Sequence, residues 1–212
     1  MYQQLIEYVK TGKFPEFHNN EEYRKFCEFS TVNMITGAGD SVRERISIEL
    51  IHGNHIDEKH GWDGKKGNLF IEVKNETLQQ KSGLSAKGIF NNLTWRSFNK
   101  YSKDNGIYLS AGYSRDGILL YALAFEMKDI IHHLEKALKE NIGDVDVNNK
   151  NTTVSLNIRH FPERFEVIYL PENINTKNYS SLLLKRLIDN KFNKTKLFKI
   201  PLTRKKYVKK RV

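Results

Sequence analysis

Apolar positions along this chain change period, and the changes mark out its elements. Residues 2–11 and 20–30 predict two short helices, separated by Phe14-Pro15-Glu16-Phe17. After the loop Thr36-Gly37-Ala38-Gly39-Asp40, Asp40 or Ser41 is placed to cap a helix running to about Ile51. Val42, Ile46 and Leu50 form one stripe on that helix, and Ile48 and Ile51 a second, which predicts burial on two sides. His55 to Lys59 is a weak strand candidate and residues 68–74 a strong one, followed by a polar loop from Asn75 to Lys87. Residues 90–103 are expected to be helical. A hairpin comes next, with strands at Ile107 to Tyr113 and Ile118 to Phe125 around Arg115-Asp116-Gly117. Residues 127–140 predict an amphipathic helix, Thr152 to Ile158 and Phe165 to Leu170 a further strand pair, and Ser180 to Ile188 a last helix. The expected fold class is α/β (α+β), a mixed central sheet flanked by helices.

Chemistry concentrates at the strong strand. Asp63 lies in the Gly-rich turn Gly61-Trp62-Asp63-Gly64, and the apolar strand ends Glu72-Val73-Lys74. Side chains alternate along a strand, so Leu69, Ile71 and Val73 share one face while Phe70, Glu72 and Lys74 share the other. Two carboxylates and an ammonium are thereby expected to meet at one spot. Carboxylates of this kind bind a hard cation such as Mg2+, whose remaining ligands are water and phosphate oxygens. Such an ion can activate water and stabilise charge on a phosphoryl oxygen. The alternatives are a cross-strand ion pair for Glu72 and Lys74 and a turn residue for Asp63.

Asp63, an eight-residue spacer and Glu72-Val73-Lys74 resemble the PD-(D/E)xK nuclease superfamily, which includes many restriction endonucleases. Trp62 stands where that family often has Pro. The resemblance implies a restriction endonuclease-like core. It makes Asp63 and Glu72 Mg2+ ligands and Lys74 the group that orients and helps to deprotonate the attacking water. It also implies a glutamate on the preceding helix that reaches the metal. Glu44 is the candidate, between Ile48 and Ile51 in angle, and Glu49 the competitor. Gly88 to Arg96, Leu109 to Tyr113 and Gly117 to Tyr121 resemble the segments that come after the catalytic strand in some restriction endonucleases. By that likeness Lys81, Lys87, Arg96 and Lys100 contact DNA phosphates.

Charge extends this picture. The chain carries +10, and residues 191–212 hold ten Lys or Arg and no acid. Without them the remaining 25 basic residues balance 25 acidic ones. A basic tail, including Arg204, Lys205 and Lys206, attracts a polyanion without reading its sequence. The bland alternative is a solvated basic run. One Cys, Cys27, excludes an intrachain disulfide and fits a reducing compartment. No apolar run is long enough for a membrane helix and no signal-peptide pattern opens the chain, so the expectation is cytoplasmic, with no membrane partner.

The expected whole is a single domain across residues 1–212, with a helical extension at 1–38, a catalytic core at 39–140, accessory elements at 141–190 and the basic tail. The expected function is Mg2+-dependent cleavage of double-stranded DNA, as in a type II restriction endonuclease, with a homodimer if the target is palindromic. Base reading is expected from residues 1–38 or 150–190, because phosphate contacts do not specify sequence. Three rivals stand beside it. Asn54-His55-Ile56-Asp57 with Asn68 resembles part of an HNH nuclease, which would move catalysis to His55 and Asp57. A repair or homing nuclease would keep the chemistry and change the substrate. A non-catalytic DNA-binding protein would reduce Glu72 and Lys74 to an ion pair. His52, His55 and His60 lack the spacing and the Cys partners of a structural zinc site.

Overall fold

The computed structural model describes residues 2–13, 16, 19–25, 39–56, 61–79, 82–115, 117–143 and 150–192. Helix α1 spans Tyr2–Thr11 and α2 Gly39–Leu50; residues 20–25 are also helical. Strands β1 (Asn54–His55), β2 (Gly64–Lys66), β3 (Leu69–Thr77) and β4 (Gly88–Leu93) lead to α3 (Trp95–Lys103). Strands β5 (Gly106–Tyr113) and β6 (Leu119–Glu126) precede α4 (Met127–Ile142), and β7 (Thr152–Leu156), β8 (Glu166–Tyr169) and α5 (Ser181–Phe192) come after it. No described helix is long and apolar enough to cross a membrane.

Six strands form one sheet in the order β1-β2-β3-β5-β6-β8, parallel between β3 and β5 and antiparallel elsewhere. The strand carrying Glu72 and Lys74 is therefore internal. Alternation sorts the two faces. Ile71, Val73, Ile107 and Leu109 pack under α2 with Ile48 and Ile51, while Tyr108, Tyr121, Leu123 and Phe125 meet α4 and α5 through Ile130, Leu134, Leu183 and Leu187. The two-sided burial expected of α2 is found. Ile46 joins Leu5, Ile6 and Val9 of α1, and Ile48 and Ile51 face the sheet.

Three expected elements differ. Residues 88–93 are a strand, not the start of a helix. Gly88 and Phe90 are buried and Ile89 and Asn91 exposed, which is a period of two. The helix begins only after Thr94, whose hydroxyl accepts from the Ser97 amide while Ser97 Oγ accepts from the Thr94 amide. The loop from Asn75 also starts late, because β3 pairs with β5 as far as Thr77. Finally, β7 and β8 do not pair with each other. β7 joins β4 in a separate two-stranded sheet and β8 takes the edge beside β6. The 3-10 turn Ile158–His160 separates them, with Phe161 and Phe165 anchored in the core around Phe125. The expected helix beyond residue 25, the loop at 36–38 and the basic tail beyond Phe192 lie outside the described residues.

Candidate active site

The turn before β2 is held open by large side chains. The Trp62 indole donates to Asp104 Oδ2 at 2.8 Å, stacks on Phe70 and meets Tyr101 edge-on. Gly106 lies beneath it, where any Cβ would come within 2.1 Å of the indole. Trp62 thus fixes the bend next to Asp63. The main chain of Asp63 bridges neighbouring strands: its amide donates to Ile71 O, and its carbonyl accepts from the Ile56 amide, both at 2.9 Å. Its side chain then reaches β3, where Oδ2 accepts from the Val73 amide at 2.6 Å.

Glu72 is 3% exposed. Lys74 Nζ donates to its Oε1 at 2.5 Å and the Tyr101 hydroxyl to its Oε2 at 3.0 Å. The Lys74 ammonium also lies 5.0 Å from the centre of the Phe90 ring. Glu44 approaches from α2, with Oε1 2.8 Å from His55 Nε2 on β1. Its charge acts on both Asp63 and Lys74. The Glu49 side chain is exposed, so of the two candidate glutamates the helix turns Glu44 to the site. Asp63, Glu72, Lys74 and Glu44 are brought together from a turn, a strand and a helix.

Burial gives this cluster its electrostatics. It pushes Asp63 from 3.8 up to about 6, with Glu44 adding to the rise while Lys74 and the Val73 amide oppose it. It pushes Glu72 from 4.5 up to about 7, opposed by Lys74 and Tyr101 and aided by Asp63. Burial alone would lower Lys74, but the carboxylates of Glu72, Asp63 and Glu44 outweigh it and hold the amine above its ordinary value. Burial and Glu72 raise Tyr101, which stays a hydrogen-bond donor. Acids raised in this way by desolvation and by neighbouring carboxylates would be relieved by a bound divalent cation.

The donor set fits such an ion in kind, since carboxylate oxygens suit a hard cation. Among the described residues, no group of three His, Cys, Asp or Glu side chains is arranged to hold a metal by itself. The remaining ligands would be water and substrate phosphate, the usual division for Mg2+.

The other predicted residues separate. Lys87 borders a cleft of about 760 Å³ that also contains Glu44 and Lys74. Arg96 is exposed on α3 and Lys100 lies one turn further, and neither lines that cleft. Lys81, Arg204, Lys205 and Lys206 lie outside the described residues. Of the HNH set, His55 pairs with Glu44, Asn68 sits in the exposed turn between β2 and β3, and Asp57 and His60 lie outside the described residues. Tyr101 and the Glu44–His55 pairing were not foreseen. Tyr101 stands 29 residues from Glu72, and only its place on the buried side of α3 with Phe98 hinted at a role.

A neighbouring polar group supports the cleft wall. Glu76 accepts from the amides of Ser85 and Lys87 at 2.9 and 3.0 Å and from the Tyr121 hydroxyl at 3.1 Å. Gly88 comes next, pressed against the site: a Cβ there would lie 1.9 Å from the Tyr108 hydroxyl and 2.7 Å from Lys74 Cβ. Gly88→Ala is expected to cost about 1–3 kcal/mol of stability through overpacking and to displace Lys74. Urea unfolding checks the first effect; an unchanged midpoint would mean that this contact relaxes freely.

The chain matches no protein-family model and no curated protein at a significant level. The site must therefore be read from its own geometry.

Proposed function

We propose that the chain is a Mg2+-dependent endodeoxyribonuclease with a PD-(D/E)xK-type site, acting on double-stranded DNA in the manner of a type II restriction endonuclease. The observation carrying this reading is the meeting of Asp63, Glu72 and Glu44 around a half-buried Lys74, with Glu44 and Lys74 lining an open cleft. An ion pair serving structure alone needs one acid. Here the charges of three carboxylates act on one ammonium, although only Glu72 is paired with it and Glu44 is paired with His55, and burial makes that excess of acid costly.

Asp63 and Glu72 would hold Mg2+, with Glu44 as the further carboxylate of the cluster. The ion, when bound, polarises the phosphate and stabilises the charge that develops on it. Lys74 is the residue that orients the attacking water. Held as an ammonium, it has no lone pair to accept a proton, so it stabilises charge and does not act as a base. This departs from the deprotonating role that the family likeness assigns it. Tyr101 fixes the Glu72 carboxylate through Oε2. Water adds to phosphorus, the bond to the 3′ oxygen breaks, and the proton lost by water is balanced by protonation of that oxygen. The product carries a 5′-phosphate.

Supercoiled plasmid incubated with the full chain is expected to be nicked and linearised in Mg2+ and left intact in EDTA. Discrete fragments from several unrelated DNAs, with ends sharing one short sequence, mark a restriction enzyme. Retardation of DNA without cutting in Mg2+ would instead make the chain a binding protein. The basic tail and Lys87 supply sequence-independent attraction for the backbone. A homodimer is the expected form on a palindromic site.

A further inference from the structure

The separate two-stranded sheet stands next to the candidate site. Its strand β4 presents Ile89 and Asn91 outward, Lys87 is exposed just before it, and all three line the cleft that contains Lys74 and Glu44. The opposite face is buried through Phe90, Val154 and Leu156. The partner strand β7 turns Thr153 and Ser155 outward, with Ser155 paired to Ile89. The outer face is thus a short polar ribbon with one apolar position, Ile89, which is 40% exposed.

We infer that the β4–β7 ribbon is the base-reading element, entering the major groove of duplex DNA beside the scissile phosphate. This inference rests on the nuclease reading for its substrate. An antiparallel two-stranded ribbon is narrow enough for the B-form major groove. Alternate residues on a strand are about 6.7 Å apart, close to two steps of the roughly 3.4 Å spacing along one DNA strand. Side chains on this outward face can therefore meet base steps two apart.

Their chemistry suits base edges. An amide such as Asn91 pairs bidentately with adenine, an amine such as Lys87 donates to guanine, and an apolar side chain such as Ile89 fits a thymine methyl. The strand is also bulged. Its register with β7 shifts between Phe90 and Leu93, Asn92 has φ 54°, and Asn91 and Asn92 are both exposed. Bulges re-aim side chains next to active sites. Glu76 pins the start of the ribbon through the Ser85 and Lys87 amides, so the side chains project from a fixed frame. Duplex RNA is the poorer fit, because its major groove is too deep and narrow for side chains to read.

The test is selection of bound sequences from a randomised DNA duplex pool, and separately from a randomised RNA duplex pool, in Mg2+. The full-length Glu72→Gln chain is used so that bound DNA survives, with Ile89→Ala or Asn91→Ala added. Both side chains are exposed, and thermal melting confirms that each variant folds. The parent is expected to enrich a short DNA motif. Each ribbon substitution is expected to lose about tenfold discrimination at one or two adjacent positions and keep the rest of the motif. An unchanged motif, equal weakening on every sequence, no motif in the parent, or enrichment from RNA alone would overturn the inference. Plasmid cutting by the wild-type chain is read in parallel. A cut plasmid with an unmoved motif sinks the ribbon alone; an intact plasmid with a shifted motif sinks the nuclease reading alone.

Discussion

Glu72→Gln is expected to slow single-turnover DNA cleavage by about 10³-fold or more, the scale of losing a charge-stabilising group from a water-poor site. Glutamine keeps the shape of the side chain and an oxygen to accept from Tyr101. It loses the negative charge that faces Lys74 at 2.5 Å and that would hold the cation. Without Mg2+, DNA affinity should stay the same, because Glu72 is 3% exposed and does not line the cleft. The loss then falls on the chemical step and not on binding, which is the signature of an interaction made in the transition state. Rapid-quench rates and equilibrium binding, measured on one duplex, separate the two. A rate within tenfold of wild type would reduce Glu72 and Lys74 to an ion pair between strand neighbours.

The second large effect is on pH dependence. Both acids must be ionised to hold the cation, and burial raises Asp63 to about 6 and Glu72 to about 7. With Mg2+ well below saturation, the cleavage rate at pH 5.5 is expected to be about 100-fold below that at pH 8, with a slope approaching two protons. Lys74 is held above its ordinary value, so no alkaline loss is expected below about pH 9. Stability without Mg2+ runs the other way. Between about pH 4 and pH 7 the folded chain keeps protons that the unfolded chain releases, so these two groups make it less stable as pH rises through that window. Added Mg2+ should restore stability above pH 7 and do little at pH 5. Melting temperatures of wild type and Glu72→Gln, compared across pH with and without Mg2+, isolate the contribution. A pH-independent rate at limiting Mg2+ would contradict it.

Much of this site was legible because its chemistry is local. Asp63, Glu72 and Lys74 lie within twelve residues, and strand alternation alone puts Glu72 and Lys74 on one side of β3. Glu44 was narrowed to two candidates by helical angle, and packing of Ile48 and Ile51 under the sheet decided between them. What escaped depends on contacts between distant parts of the chain. Phe90 and Leu93 have a spacing that suits a helix as well as a strand. Only pairing with β7, from Gly88 opposite Leu156 to Leu93 opposite Thr152, makes them a strand. β7 and β8 read alike in sequence, yet each found a different partner, since a strand's neighbours are chosen by the whole sheet and not by its own pattern. Tyr101 is reached only once α3 packs over Trp62 and Phe90.

The central claim is that Asp63, Glu72 and Lys74 form one metal-dependent phosphodiesterase site. Its most direct test is the initial rate of supercoiled plasmid cleavage against Mg2+ concentration, for wild type, Asp63→Asn and Lys74→Ala side by side. The expected result is saturable Mg2+-dependent cutting by the wild type and a loss of at least about 100-fold in each variant, with folding retained. Undiminished cutting by folded Asp63→Asn and Lys74→Ala, or no cutting by the wild type at any Mg2+ concentration, would contradict it.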